Sequence, residues 1–118
     1  TKPASRRVAE FVGEAFWLPA HAEGLFASCA LGNVALADAA TGAVDLLIRP
    51  ESLLIDTVGQ GIPSLIEWRE YYGHDQRVGV KLADGTRLVV RTGPELAVSS
   101  GQSIGIRART AVLAYPRQ

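Results

Sequence analysis

The 118-residue chain lacks several features that mark common functional classes. It has a single cysteine, Cys29, so no internal disulfide can form. Its only lysines are Lys2 and Lys81, and neither follows a glycine, so the phosphate-binding loop G-x-x-x-x-G-K-[ST] is absent. No apolar run approaches the ~20 residues that span a bilayer as a helix. Because the formal net charge is zero, no overall attraction to nucleic acid or anionic lipid is expected.

Residue types that bind metals or act as nucleophiles are present, but they show no useful spacing. Cys29, His21 and His74 are far apart, without a C-x-x-C or H-x-x-x-H pattern, and no G-x-S-x-G occurs. The stretch V-S-S-G-Q at Val98–Gln102 resembles the nucleotide-binding signature L-S-G-G-Q. The residues after it alternate as in a strand, so we interpret Ser99–Gln102 as a turn. The sequence therefore predicts no catalytic, cofactor or metal site in this chain.

The apolar pattern after Gly13 is that of β-strands. Short apolar runs are separated by turn residues, and Gly32-Asn33 and Thr41-Gly42 are predicted to form tight connections. So many short strands predict an all-β fold, an OB-like barrel of short antiparallel strands. The predicted strands are Leu25–Leu31, Val34–Ala37, Ala43–Arg49, Leu53–Val58, Ser64–Tyr72, Arg77–Leu82, Arg87–Thr92, Ser103–Arg109 and Val112–Tyr115.

A short helix is predicted before the barrel, within residues 1–13. Ser5 can cap it, Val8, Phe11 and Val12 share one face, and Gly13 ends it. Two turns are not stable alone, so we expect this helix to dock on another element. Residues 14–118 would form the barrel, and the glycines and proline of residues 58–63 are compatible with a junction of two lobes.

One hairpin, within Tyr71–Arg91, has a register that can be derived. A two-residue turn at Asp84-Gly85 would put Leu82 opposite Arg87 and Val78 opposite Arg91, which mixes apolar and charged side chains on one face. A three-residue loop, Ala83–Gly85, gives one apolar face and places Gly85 where positive φ is needed. We therefore predict the three-residue loop. Its pairs are Leu82 with Thr86, Val80 with Leu88 and Val78 with Val90.

The same register places four cations on the outward side, Arg77, Lys81, Arg87 and Arg91. One interpretation is a surface for an anion or an acidic partner. The other is that neighbours such as Glu67 or Glu70 neutralise the cations. A separate hypothesis combines this face with Trp68, Tyr71 and Tyr72 as a stacking platform for single-stranded nucleic acid. The interleaved carboxylates and the zero net charge argue against nucleic acid.

A set of segments in fixed order carries a family resemblance. The segments are R-V-A-E-F-V-G-E-A at Arg7–Ala15, I-R-P-E-S-L at Ile48–Leu53, E-Y-Y-G-H-D-Q-R-V-G-V-K-L-A-D-G at Glu70–Gly85, L-V-V-R at Leu88–Arg91 and S-G-Q-S-I-G-I-R at Ser100–Arg107. This set resembles the transport-associated OB-like (TOBE) region of the ATP-binding subunits of bacterial ABC importers. The opening F-V-G-E-A-x-x-L-P at Phe11–Pro19 looks most like the ferric-iron importers, with polyamine and sugar importers as close competitors.

The resemblance implies a non-catalytic regulatory and dimerisation domain of an ABC import ATPase, for iron(III) or another small solute. ATP and Mg would bind in an ATPase domain upstream of Thr1. The implied partners are a second copy of the chain and, through the parent ATPase, an inner-membrane permease. The implied location is the cytoplasmic side of the inner membrane, without direct insertion. Some relatives bind oxyanions such as molybdate, which leaves a small-oxyanion domain as an alternative.

Six residues of the matching segments are expected to be structural. In I-R-P-E-S-L, Pro50 would begin a short helical turn after an apolar strand, and Glu51 would lie near the positive end of that turn. The six are Arg49, Pro50, Glu51, Gly73, Asp84 and Gly85.

Overall fold

The computed structural model describes residues 15–117, which form eight strands and one 3-10 turn. The strands are β1 (Phe16–Cys29), β2 (Gly32–Ile48), β3 (Leu53–Asp56), β4 (Ile62–Tyr71), β5 (Gln76–Leu82), β6 (Arg87–Thr92), β7 (Ser103–Ala108) and β8 (Leu113–Pro116), and the 3-10 turn is Pro50–Ser52. All the strands named here pair antiparallel, so the all-β prediction is confirmed. The helix predicted within residues 1–13 lies outside the described residues. No helix in the described part of the chain is long and apolar enough to cross a membrane.

The chain divides into two compact units. Within the described residues, unit 1 comprises residues 15–49 and 110–117, and unit 2 comprises residues 50–109. The chain therefore passes between the units at residues 49/50 and 109/110. The segment 58–63, where the sequence suggested a junction of lobes, lies within unit 2. It comprises most of the β3–β4 connection and the first two residues of β4.

The sheet of unit 1 has the order β1-β2-β8. The β1–β2 hairpin turns at residues 30–31, with Cys29 paired to Gly32. The prediction of a turn at Gly32-Asn33 is therefore wrong by two residues. Gly32, the first residue after the turn, has a φ of +85°, a conformation that glycine adopts without the steric cost of a Cβ.

The second tight connection predicted in this region is also wrong. Thr41 and Gly42 lie inside β2, paired with Glu23 and Ala22. Gly42 has a φ of +85°, but the chain continues in the same direction. The glycine accommodates a local irregularity of a 17-residue strand, so two of the predicted short strands are one.

The C-terminal end of β8 is tied to the β1–β2 hairpin by one arginine. The Arg117 guanidinium donates to the carbonyl oxygens of Val44 at 2.8 Å and Ala20 at 3.2 Å. It also pairs with the buried carboxylate of Asp45 at 3.3 Å. Because the carboxylate is held by a charged partner, its burial is compensated.

Unit 2 is a five-stranded sheet with the order β3-β7-β4-β5-β6. The edge strands β3 and β6 come into contact, so the sheet curls toward closure. The inner face carries the fully buried apolar side chains, among them Leu53, Ile66, Val78, Val80, Val90 and Ile106. This arrangement places a core inside the curled sheet and leaves the opposite face of β4, β5 and β6 to solvent.

The predicted β5–β6 hairpin is confirmed in every pair. Val78 pairs with Val90 and Val80 with Leu88. The Leu82 amide donates to the Thr86 carbonyl at 2.8 Å, which closes a loop of residues 83–85. Gly85 has the expected positive φ, +93°. The inner face defined by this register is the core of unit 2.

Candidate binding face of the second unit

The candidate site is the solvent side of β4, β5 and β6, called the outer face below. Residues directly opposite each other on antiparallel strands project to the same side of a sheet. Since Arg77 is paired with both Glu70 and Arg91, and Lys81 with both Leu65 and Arg87, the register defines the whole face. Its residues are Leu65, Trp68 and Glu70 on β4, Arg77, Gly79 and Lys81 on β5, and Arg87, Val89 and Arg91 on β6.

Two of the four predicted cations share one carboxylate. The Asp75 carboxylate lies 2.6 Å from the Arg91 guanidinium and 2.9 Å from the Arg77 guanidinium. Arg77 also lies over the ring of Tyr72, 5.1 Å from its centroid. The structure thus brings Arg77 and Arg91 together, but an acidic residue that sequence reasoning did not name occupies the space between them.

The other two cations differ from each other. Arg87 pairs with Glu67 at 2.9 Å, as the neutralising interpretation predicted. Lys81 is half-buried, and among the described residues no carboxylate pairs with it. The outer face is therefore a mostly neutralised surface with one available ammonium group.

The shared carboxylate gives a prediction for titration. The hydrogen bond from Arg91 is the main cause that holds the pKa of Asp75 below its usual range, and Arg77 lowers it further. We expect Arg91→Ala to raise the pKa of Asp75 toward its ordinary value, and Arg77→Ala to raise it less. Carboxyl carbon NMR would measure both shifts.

The matched control is Asp84, whose pKa is lowered mainly by the Thr86 amide rather than by an arginine. Its titration should not change in Arg91→Ala. Because the folded pKa of Asp75 is depressed, its stabilising effect is present above the unfolded pKa and is lost as pH falls through the folded value. An unchanged Asp75 titration in Arg91→Ala would contradict the assignment.

The aromatic residues of β4 do not form a joint platform. Trp68 pairs with Gly79 and lies on the outer face, whereas Tyr71 pairs with Gln76, whose side chain belongs to the core side. Three residues of separation put Trp68 and Tyr71 on opposite faces of a strand. The Arg69 guanidinium lies over the Tyr71 ring, 4.7 Å from its centroid. The stacking platform proposed for nucleic acid is therefore not assembled.

The turn at Ser99–Gln102 is hydrogen-bonded to a bulge in β4. The pairing of β4 with β5 shifts between Ile66 and Trp68, which leaves Glu67 as an extra residue. The Gly101 amide donates to the Ile66 carbonyl at 2.7 Å, and the Ser100 hydroxyl donates to the Glu67 carbonyl at 2.8 Å. The prediction that this segment is a turn that leads into a strand is confirmed, since β7 begins at Ser103.

The residues of the matching segments lie at turns. Pro50 begins the 3-10 turn after β2 ends at Ile48, Arg49 is the half-buried residue between them, and Glu51 is exposed. Gly73 has a φ of +89° in the β4–β5 connection, where Tyr72 and Asp75 are hydrogen-bonded. Asp84 accepts from the Thr86 amide at 2.9 Å beside Gly85. Pro50, Gly73, Asp84 and Gly85 thus have conformations or contacts that shape the turns. For Arg49 and Glu51 the structural role stays a prediction.

An open groove of about 300 Å³ lies beside the Arg91–Asp75 pair in unit 2. It is lined by Glu51, Asp75, Arg91, Thr92, Gly93 and Arg109. Two carboxylates and two guanidinium groups give this lining no excess charge, so it offers no special attraction to an oxyanion.

The remaining candidates for chemistry are Cys29 and His74. Cys29 is half-buried at the end of β1, and His74 is exposed in the β4–β5 connection. Burial raises the pKa of the Cys29 thiol, which keeps the thiol protonated near neutral pH. No group of three or more His, Cys, Asp or Glu side chains that could hold a metal ion occurs within residues 15–117.

Comparison with known proteins identifies the family. The model of the TOBE domain matches residues 46–114. The Fe(3+) ions import ATP-binding protein FbpC 1 from Rhodococcus jostii strain RHA1 is 35% identical over 97% of this chain and 35% of that protein. The spermidine/putrescine import ATP-binding protein PotA 1 from Pseudomonas aeruginosa is 39% identical over 77% of this chain and 28% of that protein. The chain spans about a third of the length of these relatives.

A solved structure has the same fold over nearly the whole chain. It is the molybdate-bound crystal structure of the cytoplasmic molybdate-binding protein ModG, with a TM-score of 0.67 and 16% identity. The alignment covers 98% of this chain and 99% of that protein. At this identity the likeness concerns the fold alone. The family match and the relatives confirm the resemblance read from the ordered segments, and this chain belongs to the TOBE domain family.

Proposed function

We propose that this chain is a regulatory and dimerisation domain of the ATP-binding subunit of an ABC import system for iron(III) or another small solute. The observation that carries the proposal is the extent of the similarity. Three Fe(3+) import ATP-binding proteins align with 96–97% of this chain. The spermidine/putrescine import proteins align with 75–91% of it, which favours the iron importers among the two groups.

The proposal assigns the chemistry to other parts of the transporter. ATP and Mg would bind in an ATPase domain, since this chain has no phosphate-binding loop. The domain would lie on the cytoplasmic side of the inner membrane, held to the permease through the parent subunit. A regulatory role then requires surfaces for a second copy and for a regulatory partner.

A second copy has a suitable surface in unit 1. Strand β1 is an edge of its sheet within the described residues, so one row of its backbone amides and carbonyls is open to pairing. At its bulge, Leu25 is 56% exposed and Phe26 is 52% exposed. Adjacent exposed apolar side chains on an edge strand are typical of an interface.

Light scattering tests the dimerisation. We expect a dimer at tens of micromolar, and we expect Phe26→Lys to shift it toward monomer. Val58→Lys is the matched control, because Val58 is 83% exposed but lies in a loop of unit 2. A strict monomer at that concentration, or equal effects of the two substitutions, would contradict the proposed interface.

A further inference from the structure

Trp68 is exposed on the outer face, and its ring packs against a glycine of the neighbouring strand. The indole lies directly on Gly79, where an added Cβ would be 2.1 Å from the indole Nε1. Any other residue at this position would displace the ring. Despite this contact, Trp68 remains 43% exposed. One side of the ring therefore covers the backbone of Gly79, and the other side faces solvent.

The bulge that directs Trp68 is fixed by contacts of its own. Ile66 donates its amide to the Gln102 carbonyl at 2.9 Å and accepts from the Gly101 amide at 2.7 Å. The Glu67 carbonyl accepts from the Ser100 hydroxyl. The backbone polar groups at the bulge are therefore satisfied without help from the indole. A bulge often redirects a side chain at a functional position, and here it directs an exposed tryptophan.

The neighbours of Trp68 combine apolar surface with one cation. Leu65 is 41% exposed and lies directly opposite Lys81. Both line a groove of about 360 Å³ in unit 2 that also contains Pro63 and Ser103. Arg77, Arg87 and Arg91 each have a carboxylate partner, whereas Lys81 has none among the described residues. This end of the outer face thus offers two apolar side chains and one ammonium group.

We propose that Leu65, Trp68 and Lys81 form a docking surface for an acidic protein segment that places one carboxylate beside an apolar side chain. Tryptophan is enriched among the residues that dominate interfaces, and a single available cation fits a single carboxylate. A nucleic-acid strand fits less well, because its phosphates repeat along the backbone whereas the patch offers one available ammonium group, and because Tyr71 faces away from the patch. The acidic segment would be the regulatory partner of this domain, so the docking surface rests on the proposed function.

Selection from a displayed library of random heptapeptides on the purified chain tests this surface. We expect enriched peptides to carry Asp or Glu within two positions of Leu, Phe or Trp. A fluorescently labelled copy of the most enriched peptide should then bind at least tenfold more weakly to Trp68→Ala and to Lys81→Gln. Replacing its acidic residue by the amide should weaken binding to a similar extent. Arg107→Gln, an exposed cation on β7, should bind within twofold of the wild type.

Several outcomes would overturn the docking surface. These are the absence of enrichment, enrichment of basic peptides, and binding that neither substitution weakens. Binding of a ten-residue oligothymidine that Lys81→Gln reduces and that falls steeply with salt would assign the surface to nucleic acid instead. Loss of the dimer in Trp68→Ala, by light scattering, would assign it to a second copy. A monomeric wild type that still binds acidic peptides would contradict the dimerisation and leave the docking surface standing.

Discussion

Gly105→Ala is expected to destabilise unit 2 by about 3 kcal/mol or more and to lower its Tm by more than about 10 °C. Gly105 is buried in the middle of β7, where an added Cβ would be 1.6 Å from the Gln60 carbonyl oxygen. The obstacle is backbone, so no side-chain rotation can relieve it. Gly61, next to Gln60, is also close to β7, because a Cβ added at Gly61 would be 2.7 Å from the Ile106 carbonyl oxygen. The β3–β4 connection would have to move away from β7.

Urea unfolding followed by Trp68 fluorescence, in a Trp17→Phe background, would report on unit 2. Ser103→Ala is the matched control, since Ser103 is exposed on the same strand and should change stability by less than about 0.5 kcal/mol. Equal unfolding midpoints for Gly105→Ala and Ser103→Ala would show that the connection does not pack on β7 in this way.

Gln76→Glu is expected to cost about 3 kcal/mol or more at pH 7. The Gln76 side chain is fully buried, and its amide nitrogen donates to the carbonyl oxygens of Leu96 at 2.7 Å and Gly93 at 3.0 Å. A carboxylate would face both oxygens without a proton to donate. The loop after β6 would lose the contact that ties it to β5.

The same variant should recover part of its stability in acid. Burial beside two carbonyl oxygens raises the pKa of the introduced carboxyl above its unfolded value. Its unfavourable effect is therefore smallest below the unfolded pKa and grows as pH rises through the folded pKa. Urea unfolding of variant and wild type at pH 4.5 and at pH 7.5 would give the two differences, and the difference at pH 4.5 should be the smaller.

Gln102→Glu serves as the control for this substitution. The Gln102 side-chain oxygen accepts from the Ser99 amide at 3.0 Å, and a carboxylate would accept the same hydrogen bond. We expect a change below about 0.5 kcal/mol at either pH. A Gln76→Glu variant with the same cost at both pH values would mean that the lost amide hydrogen bonds, not the charge, determine the effect.

The parts of the fold that the sequence predicts are those set by local alternation. In the β5–β6 hairpin, only one loop length separates the valines from the arginines, so the register follows from the pattern. The turn at Ser99–Gln102 is predicted for the same reason, because alternation resumes directly after it.

The long strands of unit 1 could not be predicted in this way. Gly42 looks like a turn residue in the sequence, yet it lies inside the 17-residue β2 because its partner Ala22, 20 positions earlier, belongs to the 14-residue β1. Pairing partners far apart in the chain override a local signal for a turn. The predicted start of the first strand at Leu25, nine residues after β1 begins at Phe16, has the same cause.

The sequence predicted which cations lie on the candidate site, but only part of their pairing with carboxylates. The register placed four cations on one face, and the sequence also indicated Glu67 as a neutralising neighbour. It did not indicate that Asp75 pairs with both Arg77 and Arg91, or that Lys81 has no carboxylate partner among the described residues. Asp75 lies before β5 and reaches Arg91 on the next strand, a contact that requires the folded connection. The packing of Trp68 on Gly79 depends on the bulge at Glu67, for which the sequence carries no clear signal.

The chain order of the two units sets an order for folding during synthesis. All of unit 2, residues 50–109, leaves the ribosome before β8 does. Because Leu53 pairs with Ala108, the first and last strands of unit 2 meet, and this unit can close on itself at that stage. The unit 1 sheet has to wait for β8 and for the Arg117 contacts with Asp45. The β1–β2 hairpin therefore remains without its third strand until the end, and during this time it is the part of the domain most exposed to misassembly with a neighbouring nascent chain.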